Sequence, residues 1–217
     1  MYDLEKAITE RRSTRMFLAD KPVPMDLVRE SLDLAMRAPS NSNIQPWHVV
    51  LASGPAEDRL VEALLKEAHA APPKVPVLPE SFAHMRRDLG ALVYGSMGIA
   101  REDSEARKTA VLRNWEFFRA PLAGIVCMHR DLDYVDAMGV GMFLQTLLLA
   151  LTARGLGTCV QVSIAGYPEI VREQLGISDD MRILCGLAIG YPDPAFPGNS
   201  VWVPRNPTDS NVVVIDR

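Results

Sequence analysis

Five residues near the start of the chain combine three guanidinium groups with two hydroxyl groups. They are Arg11, Arg12, Ser13, Thr14 and Arg15. Arginine offers forked N–H donors that match phosphate oxygens and keeps its charge at any working pH, and serine and threonine add short hydroxyl donors. The segment is therefore well suited to hold a phosphate. The alternative is a solvated run of surface charge, which is the usual state of charged segments.

A second polar segment, residues 38–47, is rich in amide and hydroxyl side chains. Two prolines in it limit its conformations. Its residues of interest are Pro39, Ser40, Asn41, Ser42, Asn43, Gln45 and Pro46. Such a loop can present donors and acceptors to the edge of a heteroaromatic ring. The alternative is an Asx-rich turn that bonds to itself.

The whole chain has an ordinary globular composition. Its 217 residues are 48% hydrophobic and 23% charged, which is enough for one domain with a buried core. The formal net charge of −4 excludes an overall positive field for nucleic acid. The arginine-rich segment is thus a local positive spot on an acidic protein, and a small anionic ligand suits it better than a polyanion.

The cysteines Cys127, Cys159 and Cys185 lie far apart in strand-like apolar runs. Their spacing shows neither a CxxC pair nor a metal-binding pattern, so we expect buried free thiols in a reducing compartment and no metal site. The N-terminus lacks the apolar core of a secretory signal, which makes the cytoplasm the expected location. No Ser/His/Asp set or carboxylate pair is evident, so we expect no catalytic side chain.

Helical and strand periodicities alternate after two N-terminal helices. Predicted helices cover residues 4–10, 24–37, 57–70, 81–99, 104–118, 135–154 and 168–175. Predicted strands cover residues 47–52, 121–128, 156–162, 181–190 and 212–215. This order predicts an α+β fold in which helices cover one mixed sheet. The last strand is poorly placed for a hairpin and is suited to add to another sheet edge, including that of a partner subunit.

The most apolar stretch, residues 140–153, is shorter than the roughly 20 apolar residues that a membrane-spanning helix needs. It is therefore expected to be a buried core or interface helix. Gly139 and Gly141 lie at its start without the third glycine of the dinucleotide-binding fingerprint, so they are interpreted as packing points.

The domain organisation is expected to be simple. Residues 71–80 contain four prolines, which exclude a regular helix there. The amphipathic helices that follow have the character of a lid more than of a core element. We predict a single domain over residues 1–217, with a helical insertion or lid around residues 72–118 and an extended, proline-rich tail over residues 192–217.

Together, the two polar segments resemble the nitroreductase family of FMN-dependent oxidoreductases. The motifs that carry the resemblance are Arg11-Arg12-Ser13-x-Arg15 with Phe17, and Pro39-Ser40-x-x-Asn43-x-Gln45-Pro46-Trp47. The C-terminal half agrees through Gly155-Leu156-Gly157-Thr158, Gly166-Tyr167-Pro168, Gly190-Tyr191-Pro192 and Arg205. In residues 98–103 and 113–121 the chain looks most similar to the branch that contains nitrobenzoate and nitrobenzene reductases. The resemblance implies a three-layer α/β/α sandwich in an intertwined homodimer, with the flavin at the interface.

The resemblance also implies which residues hold the FMN phosphate and ribityl chain. Arg11, Arg12, Ser13 and Arg15 match the N-terminal positions that do so in the family. Arg205 matches the basic residue that joins the phosphate from the far end of the chain.

Further residues are implied around the flavin ring. The polar loop would reach it from the other subunit, through Pro39, Ser40, Asn41, Ser42 and Gln45. Asn114 would face the pyrimidine edge or the ribityl chain. Backbone would lie against the isoalloxazine ring at Ser163, Ile164, Ala165 and Gly166. Many family members have Pro and Glu where this chain has Ser163 and Ala165, which leaves the backbone donors but no carboxylate at this edge.

The implied activity is reduction of nitroaromatic compounds, nitrobenzoates among them, by NAD(P)H in ping-pong hydride transfer through N5 of bound FMN. The pocket walls would come from residues 82–118, where the aromatic candidates are Tyr94, Trp115, Phe117 and Phe118. Candidates to grip an aromatic carboxylate are Arg86, Arg87, Arg107 and Arg113. Two alternatives stay open: a reductase of quinones, enones or halogenated aromatics on the same scaffold, and a non-catalytic flavin-binding protein.

Overall fold

The computed structural model describes residues 3–216 and is built around a four-stranded sheet. The strands are β1 (His48–Ala52), β2 (Leu122–His129), β3 (Gly157–Gln161) and β4 (Met181–Gly190). They lie in the order β1-β2-β4-β3, and each neighbouring pair is antiparallel. The expectation of a mixed sheet is corrected accordingly. Among residues 3–216, parallel pairing is confined to an isolated bridge between Ser13 and Thr158, because the N-terminal segment follows β3 too briefly to form a strand.

Helices lie on both sides of this sheet. Within the described residues they are α1 (Leu4–Glu10), α2 (Met25–Ala35), α3 (Pro55–Ala70), α4 (Ala83–Ser96), α5 (Ser104–Leu112), α6 (Tyr134–Thr152) and α7 (Pro168–Leu175). With the sheet they confirm the predicted α+β class.

The three layers follow from the two-residue alternation of the central strands. In β2, Ile125 and Cys127 belong to one buried cluster, whereas Val126 and Met128 belong to the other. Helices α3 and α7 cover the first cluster, and α2 and α6 cover the second. The nitroreductase-like α/β/α sandwich is therefore confirmed.

Helix α6 is the long apolar helix that the sequence predicts. The Asp133 side chain caps it by accepting from the Tyr134 N–H at 2.7 Å. With 19 residues and a mean hydropathy of 1.6, α6 is long and apolar enough to cross a membrane by those criteria alone. However, Val140, Phe143 and Leu147 recur at helical spacing and pack into the second cluster. This helix is thus a core helix with one face left exposed.

The helix predicted over residues 104–118 ends early, at Leu112. Phe117, Phe118 and Arg119 have φ angles of 46°, 54° and 63°. Side-chain-bearing residues adopt this left-handed region rarely, and it cannot continue a right-handed helix. The chain instead makes a tight turn into β2 that leaves Asn114 at the surface of a cavity.

The strand predicted over residues 212–215 is wrong for the isolated chain. No ladder partner lies beside this segment within residues 3–216, and Val213, Val214 and Ile215 are 84%, 80% and 86% exposed. Apolar, β-branched composition favours a strand only where a sheet edge is available to pair with it.

Candidate functional site

The arginine-rich segment, residues 11–15, runs along the outer edge of β3. The Thr14 N–H donates to the Thr158 carbonyl at 2.9 Å, and Ser13 bridges to the same residue. The next peptide is held by Asn199, whose Oδ1 accepts from the Arg15 N–H at 2.7 Å. The edge of the sheet therefore fixes the backbone from which these side chains project.

This segment lines a concavity of about 350 Å³, which we call the phosphate concavity, together with part of the C-terminal tail. Its charged lining residues are Arg11, Arg12, Arg15 and Arg205. The guanidinium carbon of Arg12 lies 5.0 Å from the ring centroid of Trp202. Arg205 donates to the carbonyls of Val203 at 2.7 Å and Pro204 at 3.2 Å. The fold thus brings the first and last parts of the sequence to one space.

The positive charge of the phosphate concavity has no neutralising partner within residues 3–216. None of its four guanidinium groups belongs to an ion pair, and none of its described lining residues is acidic. Ser13 adds a hydroxyl to the same lining. Because forked donors surround a common space, an anion with several oxygens is the ligand that this geometry fits best.

A second cavity of about 380 Å³ adjoins the first through Arg15, which lines both. We call it the ring cavity because its walls include Tyr94, Phe118 and Phe196. Arg107 lies 4.2 Å from the ring centroid of Tyr94, and Arg113 lies 5.4 Å from that of Phe196. The pairing of flat rings with guanidinium groups suits a ligand that is aromatic and electron-poor or anionic.

The aromatic candidates from residues 82–118 differ in how far they reach the ring cavity. Tyr94, on α4, is partly exposed and lines the cavity. Trp115 and Phe117 are 5% and 0% exposed and belong to the first buried cluster. Phe118 does both, since it belongs to that cluster and also forms part of the cavity wall. Aromatic type alone does not separate these positions.

Asn114 lies in the ring cavity and is held by two polar neighbours. The Gln161 side-chain amide donates to the Asn114 carbonyl at 2.6 Å, and the Ser163 hydroxyl donates to the Asn114 side-chain oxygen at 3.5 Å. Gln161 is 3% exposed, and its Oε1 has no hydrogen-bond partner within residues 3–216. Gln161 itself lines neither cavity, so it supports Asn114 from behind the cavity wall.

The turn at residues 162–166 lines neither cavity within one chain, so the predicted contacts of Ser163, Ile164, Ala165 and Gly166 with the cofactor stay a prediction. Ile164 is fully buried and packs so closely on Gly186 that a Cβ there would lie 2.5 Å from an Ile164 side-chain carbon. Gly166 lies beneath the proline-rich linker, with the Lys74 N–H donating to its carbonyl at 2.9 Å. Ala165 is partly buried beside the first cluster. The carboxylate that many family members have near this position has no counterpart in these side chains.

The polar loop lies away from both cavities. None of the residues predicted to bind the cofactor in it lines either one: Pro39, Ser40, Asn41, Ser42 and Gln45. The loop packs on the N-terminal half of α6, where a Cβ at Gly139 would lie 3.2 Å from the Ser40 Cβ. Within one chain, the loop and the arginine-rich segment are therefore separate.

The conformation of this loop is strained. Ser42, Asn43 and Gln45 have φ angles of 48°, 56° and 49°, and all three are exposed. Hydrogen bonds within the loop hold this shape: the Gln45 N–H donates to the Ser40 hydroxyl at 3.0 Å, and the Asn43 N–H donates to the Ser40 carbonyl at 3.1 Å. Positive φ at residues other than glycine costs free energy and is concentrated at binding sites, so this strain marks the loop as a candidate contact surface.

The cysteines are buried and free, as predicted. Burial raises the pKa of Cys127 and Cys159 to about 11 and that of Cys185 to about 12. Thiols held protonated in this way are poor nucleophiles. Among the described residues, no group of His, Cys, Asp and Glu side chains has the arrangement of a metal site.

Two buried polar residues beside the candidate site escaped the sequence-based interpretation. Gln161 occupies an inward position in β3, and a buried amide in a strand is a signal that a polar network is present. Asn199 lies in the proline-rich tail, where nothing in the local sequence indicates that it holds Arg15 from the other end of the chain.

Comparisons with known proteins agree with this geometry. The sequence model of the nitroreductase family matches residues 8–191. The chain is 36% identical to a 4-nitrobenzoate reductase of Pseudomonas putida over 94% of this chain and 91% of that protein. It is 33% identical to a nitrobenzene nitroreductase of Ectopseudomonas oleovorans over 93% of this chain and 92% of that protein.

A solved structure gives the same result for the fold. The FMN and NADPH-dependent nitroreductase NfnB from sphigopyxis sp. strain HMH superposes with a TM-score of 0.94 and 31% identity, covering 98% of this chain and 99% of that chain. A family match over most of the sequence and relatives above 30% identity over nearly full length leave a single assignment. The chain belongs to the nitroreductase family.

Proposed function

We propose that this protein is an FMN-dependent oxidoreductase that reduces nitroaromatic compounds with NAD(P)H. The observation that supports it most directly is the acid-free phosphate concavity joined through Arg15 to an aromatic-lined cavity. The first space fits the phosphate of a flavin mononucleotide, and the second, joined to it through Arg15, offers aromatic walls that the flavin ring and an aromatic acceptor lying against it would share. The names of the relatives, which are nitroaromatic reductases, agree with this function.

The residues in place fit the cofactor. Arg11, Arg12, Ser13 and Arg15 would hold the phosphate with Arg205. Around the ring, Asn114 would supply a hydrogen-bonding group from the wall of the ring cavity. The family resemblance adds the backbone of residues 163–166, which lines neither cavity within one chain. The phosphate assignment is supported by four guanidinium groups and the Ser13 hydroxyl, which line one concavity without an acidic residue.

FMN, when bound, supplies the two-electron chemistry that no protein side chain offers. The first reduction then balances as ArNO2 + NAD(P)H + H⁺ giving ArNO + NAD(P)⁺ + H2O. The ring cavity holds no carboxylic acid, histidine or cysteine among its described lining residues. Tyr94 is the phenol in that lining, and we propose that water delivers the proton. The protein's own part is to bind, orient and stabilise negative charge with fixed guanidinium and N–H dipoles.

We propose that the active form is a homodimer in which the polar loop of the partner completes the site. On α6, Tyr134, Met138 and Met142 are 74%, 64% and 39% exposed at four-residue spacing, and Gln145 continues this stripe into the phosphate concavity. Such an exposed apolar stripe favours coverage by a second copy. The strained loop lies beside the same helix, which places it next to the contact surface.

The remaining organisation is proposed in the same way. The chain forms a single domain over residues 1–217, with residues 72–118 as a lid whose helices α4 and α5 line the ring cavity, and with a tail over residues 192–217. Three buried free thiols fit the reducing cytoplasm as its location.

The test is direct. The purified protein should be yellow, or become yellow on addition of FMN, and anaerobic NADPH or NADH should bleach the flavin absorbance. Addition of 4-nitrobenzamide should then restore it. A colourless protein that binds no FMN contradicts the cofactor assignment, and a yellow protein that no nicotinamide donor bleaches contradicts the enzymatic function. Reoxidation by quinones or enones but by no nitro compound would favour the alternative reductase on the same scaffold.

A further inference from the structure

We propose that the ring cavity selects acceptors that carry a carboxylate on the aromatic ring. The determinant is the arginine wall, which consists of Arg86, Arg87, Arg107 and Arg113. The inference rests on the proposed nitroaromatic reduction and names the substrate class within it that this chain prefers. It assigns a specificity role to residues that lie outside the phosphate concavity.

Helical spacing explains how these side chains come to one surface. On α4, Arg86, Gly90 and Tyr94 recur every four residues and line the cavity together with Arg87. On α5, Arg107 lies one turn before Ala110, and both line the same space. Gly90 carries no side chain, which keeps the centre of this face open between the arginines and the Tyr94 ring.

The arginine wall has unused hydrogen-bonding capacity. Arg86, Arg87 and Arg107 form no ion pair within residues 3–216, and no described lining residue of the cavity is acidic. The side chain of Arg113 donates to the Met97 sulfur at 3.6 Å, which is a weak acceptor. Four guanidinium groups held this way on a protein of net charge −4 form a strong local attraction for an anion.

Two of these groups are positioned by aromatic rings. Arg107 stacks on Tyr94 and Arg113 on Phe196, and both arginines are half-buried. Stacking holds the plane of the guanidinium while leaving its N–H edge free to donate, and partial burial strengthens the charge interaction. The arrangement therefore presents a ring-binding surface and a carboxylate-binding edge at the same site.

The phosphates of the nicotinamide donor are the other source of anionic oxygens. In a dinucleotide, a ribose separates the nicotinamide ring from the nearest phosphate. In a nitrobenzoate the carboxylate is bonded directly to the ring. The interleaving of rings and guanidinium groups in this cavity fits the second ligand better.

The experiment compares 4-nitrobenzoate with 4-nitrobenzamide, which has nearly the same shape but no charge. Equilibrium binding to the oxidised holoenzyme is followed by the change in flavin absorbance, with no donor present. In a second arm, the holoenzyme is reduced by NADPH and mixed with each acceptor in a stopped-flow instrument. We expect the carboxylate to be favoured over the amide by about tenfold or more in both arms, since hydrogen bonds to charged groups exceed neutral ones.

The variant Arg107→Gln should lower that preference about tenfold, and Arg113→Gln should do the same. The matched control is Arg101→Gln, which removes the same charge from the same segment at an exposed residue that does not line the ring cavity. This control should keep the wild-type preference. Variants that fold are identified by an unchanged flavin absorbance and an unchanged midpoint of thermal unfolding. The variant Arg107→Lys is a second test, because it keeps the charge but loses the planar fork of the guanidinium group.

Equal affinity of the wild-type holoenzyme for the two ligands overturns the inference. It is also overturned if the arginine variants slow reduction by NADPH while keeping the preference for the carboxylate, because the wall then serves the donor. Failure of both compounds to reoxidise the flavin would contradict the proposed nitroreductase function instead, and the binding arm would still decide whether the wall recognises a carboxylate.

Discussion

At the residue scale, the arginines of the phosphate concavity are oriented by neutral partners. Arg12 lies over the Trp202 ring, and a terminal nitrogen of Arg15 donates to the Ser13 carbonyl at 3.2 Å. Arg205 is bonded to backbone carbonyls of its own segment. Carboxylate partners would have neutralised these charges, whereas rings and carbonyls fix the side chains and leave the positive field intact.

Replacing Arg205 by alanine should weaken FMN binding by about tenfold to a hundredfold, because a charge-assisted phosphate contact is lost. Arg11→Ala should act in the same direction. The measurement is the dissociation constant of FMN from quenching of flavin fluorescence on reconstitution of the apoprotein. Arg59→Ala, at an exposed arginine on α3, is the matched control and should bind FMN as the wild type does. Unchanged affinity in Arg11→Ala and Arg205→Ala would contradict their assignment.

Glu57 is a buried carboxyl outside the proposed site. It lies in the first turn of α3 and is 8% exposed. Burial raises its pKa from 4.5 to about 8, and the neighbouring charge of Asp58 adds to the shift. The folded protein therefore retains a proton on Glu57 at neutral pH that the unfolded chain releases.

This proton makes stability depend on pH in a defined direction. Between pH 4.5 and about 8 the folded state binds one more proton at Glu57 than the unfolded state, so this group's contribution to the free energy of unfolding falls as pH rises. The variant Glu57→Gln has no titrating group at this position. The free energy of unfolding of the variant minus that of the wild type should therefore increase as pH rises across that interval and level off above it. Denaturant unfolding at several pH values measures the difference, with exposed Glu62→Gln as the control. A difference that is constant with pH would contradict the assignment.

At the element scale, the tail and the N-terminal segment hold each other. The buried Asn199 accepts from the Arg15 N–H and donates to the carbonyls of Met16 at 2.8 Å and Asp193 at 2.9 Å. One side chain thus joins the segment after α1 to the segment after β4. The position of Arg15 between the two cavities depends on this connection.

Asn199→Ala should destabilise the protein by about 1–3 kcal/mol, because three backbone groups lose a buried hydrogen-bond partner. It should also weaken FMN binding, since Arg15 loses its support. Thermal and denaturant unfolding measure the first effect and flavin fluorescence the second. Ser200→Ala, at the exposed neighbouring residue, should change neither. Normal stability together with normal FMN affinity would show that Asn199 does not position Arg15.

Local sequence predicted the first and last residues of some helices and strands correctly but failed for others. Helix α7 (Pro168–Leu175) and strand β4 (Met181–Gly190) have the predicted bounds, because proline and glycine mark their ends. Helix α5 ends earlier than its periodicity indicates, since the turn at Phe117 and Phe118 takes its left-handed conformation from packing in the core. The strand predicted at residues 212–215 depends on a pairing edge that the isolated chain does not provide.

At the scale of the whole molecule, the exposed apolar stripe of α6 and the strained polar loop lie on one side of the fold. The stripe reaches the phosphate concavity at Gln145, while the loop packs near Gly139 on the same helix. Two copies placed stripe against stripe would bring the loop of each close to the concavity of the other. The proposed dimer therefore predicts that the loop of one copy contributes to the site of the other.

Met138→Glu places a charge in the middle of the stripe and should shift the protein from dimer to monomer, because a buried unpaired charge is costly. If the partner's loop completes the site, this loss of the dimer should also lower the affinity for FMN. Sedimentation velocity with flavin absorbance reports both quantities in one experiment. Val77→Glu, at a 90% exposed apolar residue outside the stripe, is the control and should remain dimeric. A wild-type protein that sediments as a monomer with bound FMN would contradict the proposed assembly.

The sequence by itself determined the α+β class through its periodicity and turn residues. Short motifs such as Arg11–Arg15 carried the family resemblance, which in turn implied the three-layer architecture and the residue types at the site. Only the tertiary structure decided which of these residues meet. It joined Arg205 to the N-terminal arginines, brought Arg86, Arg87, Arg107 and Arg113 to one cavity, and separated the loop at Ser40–Gln45 from both spaces. Which residues meet depends on how the helices cross the sheet and on buried side chains such as Asn199 that join distant segments. No local pattern in the sequence encodes these long-range contacts.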